Sequence, residues 1–199
     1  MKRIISCELW AILVVAGIFG ANRTVGTDAP AAFDGEKSSW HNGFDKGFHI
    51  VTGPVSYDSN NLSLQHWNAV YKHLTEHGFS KKPVMAGAGG AAGEAYAWAI
   101  ENPDKVSCIY AENPVLRATM SKSALLENLA PLAKAGVPLL HVCGGLDPRL
   151  EDNTRALEKR YKDLGGQITV IIKEGEGHYP LAPRDTKAVV EFIGSKTGA

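Results

Sequence analysis

The stretch Val84 to Ala99, VMAGAGGAAGEAYAWA, decides how the rest of the chain is read. A short apolar run gives way to a cluster of glycines and alanines, then to a segment whose composition continues as a helix. A strand that turns sharply into a helix presents the residue at the turn above the carboxyl end of a sheet. There the first N–H groups of the helix can meet a ligand. Turns of this kind present either a catalytic nucleophile or a phosphate site. This one contains no serine, cysteine or threonine.

Outward from the turn, strand and helix signals alternate. Gly47 to Val55 (GFHIVTGPV) reads as a strand and Ser63 to Gly78 as a helix with a glycine stop. Lys82 to Gly87 is the strand before the turn, and Gly90 to Asn102 the helix after it, halted at Pro103. KVSCIYAEN is a strand, Ser123 to Gly136 a helix with a break expected at Pro131, and VPLLHVCGG a strand. RLEDNTRALEKRYKDLGG is a helix, QITVIIKEG a strand and PRDTKAVVEFIGSK the last helix. The alternation predicts an α/β fold: a mainly parallel sheet with helices on both faces, a compact three-layer sandwich. Ligands of such sheets bind beyond the carboxyl ends of the strands, so the residues that follow each strand are the ones to inspect.

Those residues are Gly87-Ala88-Gly89-Gly90-Ala91, then Glu112-Asn113, Gly144 to Pro148 (GGLDP), and Gly175 to Pro180 (GEGHYP). The order is a glycine-rich elbow, an acid and a histidine on successive strands. An imidazole base needs a carboxylate to fix its tautomer and stabilise its cation. Asp147 and His178 would meet above the sheet if their strands are neighbours, with Gly175 and Gly177 letting the loop turn the ring back.

With these residues in place, the chain resembles the α/β-hydrolase superfamily, and more closely an exported bacterial branch of it. The likeness is carried by HWNAVYKHLTEHGFSKK before the elbow strand and YAWAIENPDKVSCIYAENPV after it. Further on it is carried by NLAPLAKAGVPLLHVCGGLDP and RYKDLGGQITVIIKEGEGHYP, so that it covers roughly Gly47 to Ile193. In that superfamily the elbow reads G-x-S-x-G. Here Gly87-Ala88-Gly89-Gly90-Ala91 occupies the motif, and Gly89 stands where the serine belongs. The resemblance implies Asp147 as acid and His178 as base, with no nucleophile to carry over. It also implies about eight strands, with an oxyanion loop after the strand that precedes GFHIVTGPV. Five are evident. Either the apolar run Trp10 to Phe19 is that strand, with GIFGAN as its loop, or the protein is a reduced member.

A glycine at the elbow leaves three explanations. One is a hydrolase of carboxylic esters, with small-molecule or saccharide-ester substrates, in which His178 backed by Asp147 activates a water held in the space beside Gly89. Gly87, Ala88 and Gly90 would then line the substrate site, Glu112 would be a further acid, and Trp40 could face a sugar. A second is a binding protein on a hydrolase scaffold. A third is dinucleotide binding, because Gly87-x-Gly89-x-x-Ala92 fits the G-x-G-x-x-G/A fingerprint and Glu112 follows where a ribose-binding acid is expected. Among lesser candidates, Cys143 and His141 read as core residues, Glu94 as a residue of the helix's exposed or packing face, and Trp67 and Trp98 as helix residues packed on the sheet.

Bulk properties narrow the field. The chain has 199 residues, 44% of them hydrophobic, with 21 basic and 21 acidic side chains and a formal net charge of zero. Such a balance offers no bulk attraction for nucleic acid or an anionic membrane. Lys2 and Arg3, the apolar run Leu9 to Phe19 and the small residues Gly20-Ala21 fit a secretory signal peptide over residues 1–21. That division leaves a single domain over 22–199 and an exported protein. The run is too short for a comfortable membrane span. Cys108 and Cys143 fall in strands and read as buried free thiols. No CxxC pair occurs, and neither a metal nor a cofactor is expected.

Overall fold

The computed structural model describes residues 10–16, 48–54, 62–116, 125–179 and 187–197. Its strands are β1 (Trp10–Ala16), β2 (Phe48–Pro54), β3 (Val84–Ala88), β4 (Cys108–Glu112), β5 (Leu139–Gly144) and β6 (Ile168–Lys173). Its helices are α1 (Leu62–Glu76), α2 (Ala91–Glu101), α3 (Ala130–Lys134), α4 (Ala156–Asp163, entered through a π-helical turn over Leu150–Arg155) and α5 (Lys187–Thr197). The sheet order is β2-β1-β3-β4-β5-β6. Strands β3 to β6 run parallel, in the registers Ala88↔Glu112, Glu112↔Val142 and Gly144↔Lys173 at their carboxyl ends.

Both faces of these central strands are covered, so β4 and β5 are buried along their whole length and are mainly apolar, Glu112 and His141 being the buried polar exceptions. On one face Met85, Ile109 and Leu139 pack with Trp67 of α1, Trp98 of α2, Leu132 of α3 and Tyr161 of α4. On the other, Val84, Ala86, Tyr110 and Val142 pack with Val189 and Ile193 of α5. Each large apolar side chain among them contributes about 1.5–3 kcal/mol when fully buried. The α/β sandwich expected from the alternation is the one observed, with Trp67 and Trp98 in its core.

Three features differ from expectation. The helix expected over Ser123 to Gly136 is, among the described residues, only Ala130–Lys134, with Pro131 in its first turn. Proline has no N–H to donate and clashes with the preceding turn, so it is tolerated where a helix begins and not in its interior. The described sheet has six strands, not five, because Trp10–Ala16 pairs on both sides. It pairs antiparallel to β2 and β3, Ala11 opposite Gly53 and Gly87, Val14 opposite Ile50 and Val84. Its carboxyl end therefore points to the edge of the sheet opposite the elbow. The segment GIFGAN, expected as its oxyanion loop, lies outside the described residues. The same strand falls within the stretch read as a leader, and cleavage near Ala21 would carry it away. Strand β2 runs in the direction of β3, and its exit at Gly53-Pro54 opens on the elbow's edge.

Candidate active site

The elbow forms because its glycines allow what other residues would not. At Gly87 an added Cβ would stand 2.5 Å from the Ala92 nitrogen, so the missing side chain is what lets α2 close onto β3. Gly89 has φ of 55°, in the left-handed region where a Cβ is disfavoured. Its N–H donates to the Glu112 carbonyl and its own carbonyl accepts from the Val115 N–H, both at 2.9 Å. The apex is thus bolted to the segment that leaves β4. Ala88 ends β3, and Gly90 is the N-cap of α2. Ala92 and Gly93 donate to the carbonyls of Gly89 and Gly90 at 3.3 and 3.1 Å, and the N–H groups of Gly90 and Ala91 stand ahead of that pattern at the positive end of the helix.

Two strands away, β5 exits through Gly144-Gly145-Leu146 to Asp147. The Asp147 N–H donates to the Gly144 carbonyl at 3.1 Å, and its Oδ1 accepts from the Arg149 N–H at 2.9 Å. Its Oδ2 lies 2.8 Å from Nδ1 of His178, which β6 delivers through Glu174 to Gly177. The side chains of Asp147 and His178 are 3% and 11% exposed. A carboxylate only accepts, so Nδ1 carries the proton and Nε2 is left as the basic nitrogen. The two loops are tied again by the Leu146 N–H donating to the Glu176 carbonyl at 2.8 Å. Neighbouring strands thus bring Asp147 and His178 together at the carboxyl edge of the sheet.

Asn113, quoted in the sequence only as a neighbour of Glu112, occupies the junction of these parts. It is fully buried with φ of 40°, the one non-glycine residue in the left-handed region among those described. Its Nδ2 donates to the His178 carbonyl at 2.8 Å, its Oδ1 accepts from the Gly144 N–H at 2.7 Å, and its N–H donates to the Val142 carbonyl at 2.9 Å. The available signal was an asparagine, tolerant of that conformation, directly after a buried strand and before a proline. Asn153, in the π-helical turn after Asp147, adds a further tie: its Oδ1 accepts from the Leu116 N–H at 2.6 Å.

Glu112 is held in a different way. Its Oε2 accepts from the Tyr110 hydroxyl at 2.7 Å and its Oε1 from Lys173 Nζ at 2.5 Å. Lys173 also faces Glu176 at 3.4 Å. Burial pushes the Glu112 carboxyl above the ordinary glutamate range, against the opposing pull of Lys173. The Tyr110 hydroxyl is pushed well up by burial and by the charge of Glu112. This acid is therefore engaged in a buried ionic cluster under the His178 loop.

On the opposite face His141 is a satisfied core histidine, its ring 2.7 Å from the Tyr96 hydroxyl and 3.1 Å from Thr154 Oγ1. Burial lowers its pKa to about 3. Cys143 is a buried free thiol in contact with Thr154 at 3.0 Å, raised by burial to about 11, and Cys108 is likewise free and raised to about 12. Neither has the lowered pKa of a nucleophilic thiol. Glu94 is buried in the first turn of α2, on the packing side of the two faces the sequence allowed. Trp40 lies outside the described residues. His73 and His77 stand one helical turn apart at the end of α1 with ring centroids 4.2 Å apart. Among the described residues no three or more histidine, cysteine or acidic side chains come together as a metal site, and no helix is long and apolar enough to cross a membrane.

No family profile and no curated protein matches the sequence. Solved structures do resemble this one. An uncharacterized protein from Bacillus cereus ATCC 10987 superposes with a TM-score of 0.61 at 16% identity, over 73% of this chain and 46% of its own. A point variant of SOBER1 from Arabidopsis thaliana gives 0.55 at 16% identity over 72% of this chain and 68% of its own. A predicted CIB-like hydrolase from Thermoplasma acidophilum gives 0.53 at 21% identity over 78% and 76%. The chain spans less than half the length of the first of these. Likeness at such identities speaks for architecture alone, a mainly parallel sheet with helices on both faces.

Proposed function

We propose that this protein hydrolyses carboxylic esters without an acyl-enzyme, using water in place of the side chain that Gly89 lacks. The observation that carries the reading is the 2.8 Å contact between His178 Nδ1 and Asp147 Oδ2 at the edge of the sheet where the elbow lies. With Nδ1 committed to Asp147, Nε2 takes a proton from water as its oxygen attacks the ester carbonyl. The tetrahedral intermediate then expels the alcohol, which leaves with the proton from the imidazolium, and the carboxylic acid remains. The developing oxyanion calls for donors that cost no rearrangement. The leading N–H groups of α2, at Gly90 and Ala91, are the candidates.

Two features bear on the substrate. Among the described residues the exposed large apolar side chains are Leu146, Leu164 and Tyr179. Leu146 directly precedes Asp147 and is 70% exposed. Tyr179 directly follows His178, is 62% exposed, and meets the imidazole edge-on at 4.8 Å between centroids. Apolar surface next to the acid and next to the base supports an ester with an apolar acyl or aryl group. Tyr179→Ala is expected to raise KM for aryl esters roughly 2- to 10-fold, the worth of one aromatic contact, while leaving short acetyl esters of small alcohols unchanged. Dinucleotide binding is less well supported, because both oxygens of Glu112 are already engaged.

The test is hydrolysis of a panel of aryl and sugar esters by the wild type, His178→Ala and Gly89→Ser. The wild type should turn over, and His178→Ala should lose about 100- to 10,000-fold, the range for a general base. Activity in Gly89→Ser alone would overturn the proposal in favour of a binding protein on a scaffold that has lost its nucleophile. Inactivity of all three would leave the fold without this chemistry.

A further inference from the structure

Resting on the assignment of His178 as the base, we propose that Asn113 is a positioning residue that sets the imidazole against Asp147. The two partners of the pair arrive on different strands, and three loops must agree for them to meet. Asn113 is the residue that touches all three. Its backbone belongs to the exit of β4, its Oδ1 holds the Gly144 N–H at the start of the loop that carries Asp147, and its Nδ2 holds the carbonyl of His178 itself. Donor and acceptor of one planar amide thus span the gap between the acid's strand and the base's backbone. The neighbouring segment also fastens the elbow, through the bonds of Glu112 and Val115 to Gly89.

The conformation of Asn113 points the same way. A buried non-glycine residue with φ of 40° is disfavoured unless the surroundings demand it. The backbone here reverses just after β4, and this reversal directs the side chain between the two loops. The fold has other ties at this place, among them Leu146 to Glu176 and Asn153 to Leu116. Loss of the Asn113 amide should therefore disturb the pair more than the fold.

Asn113→Gly keeps the backbone conformation free of strain and removes both side-chain bonds. Asn113→Asp keeps the acceptor for Gly144 and sets an anion against the His178 carbonyl. In the wild type, a proton held between Nδ1 and the Asp147 carboxylate is expected to give a ring N–H resonance far downfield of the amides. Both variants are expected to lose that resonance, while thermal melting stays cooperative. If the wild type hydrolyses esters, kcat should fall about 10- to 100-fold in both, with KM within about twofold, as for a small misplacement of a base. An unchanged resonance in both folded variants would overturn the proposal. So would failure of both to fold, which would make Asn113 a structural residue. An inactive wild type that nonetheless loses the resonance in the variants would refute the esterase reading and leave the positioning role standing.

Discussion

Replacing Lys173 by methionine is expected to cost roughly 3–5 kcal/mol of stability near neutral pH, the penalty for stranding buried charge by removing one partner. The ammonium lies 2.5 Å from Glu112 and 3.4 Å from Glu176, and the three side chains are 8%, 2% and 6% exposed. Methionine matches the lysine stem in length and flexibility, so the loss reports on charge and not on a cavity. The pH dependence follows from the direction of the Glu112 shift. Its folded pKa stands above the ordinary value because burial outweighs Lys173. A carboxyl raised on folding holds its proton longer in the native state, so stability falls as pH rises from the ordinary glutamate range toward the folded value. Removing Lys173 takes away the force that opposes the rise and widens the window. The deficit of Lys173→Met should therefore be smallest in acid, where Glu112 is protonated with or without its partner, and should grow as pH climbs. Urea unfolding at a series of pH values measures it. A deficit below about 1 kcal/mol at neutral pH would mean that water reaches the cluster and the charges are not stranded.

If the wild type hydrolyses esters as proposed, Gly144→Ala is expected to lower that activity about 100-fold or more while leaving a folded protein. A Cβ at this position would stand 2.1 Å from the Gly177 carbonyl oxygen and 2.5 Å from that of Glu176. Both are backbone atoms, so no side chain can rotate away. The loop from Glu174 to Gly177 has to lift, and it carries His178 with it. A displacement near 1 Å at a reacting group is enough for a loss of that size. The cost in stability is that of overpacking, about 1–3 kcal/mol. Kinetics on the ester panel together with a melting curve separate the two effects. Activity within about threefold of the wild type would show that His178 keeps its place without close contact between the two loops.

Much of this arrangement was legible in the residues. Three of the four parallel strands announced themselves as apolar runs closed by glycine, and Asp147 and His178 stood out because each closely follows such a run. The core roles of Cys143, His141, Trp67 and Trp98 followed from their places within those elements. What escaped was long-range or conformational. The direction of β1 depends on pairing with strands far along the chain, and an apolar run carries no mark of which way it will lie. Asn113 was overlooked because its importance comes from a backbone angle and two partners on other loops. Glu112 stood out as an acid at a strand end, free to meet a ligand, whereas alternation along β4 turns it toward Lys173. Pro131 hinted at a break in its helix, and the break proved to be the helix's beginning.

The antiparallel seat of β1 also sets a schedule. Strand β1 leaves the ribosome before the other described strands, yet its place lies between β2 and β3, the latter ending at Ala88. It can pair with β2 as a two-stranded ribbon once Pro54 has emerged, but such a ribbon is marginal alone. The parallel block β3 to β6 builds outward from β3 in chain order, each strand added beside the last. The order of synthesis thus runs smoothly along one half of the sheet and doubles back in the other. Until Ala88 is free, the nascent chain must carry an apolar segment, WAILVVA, with one edge open. In a growing chain that segment is the part most exposed to capture, whether by a chaperone, a translocation machine or another copy of itself.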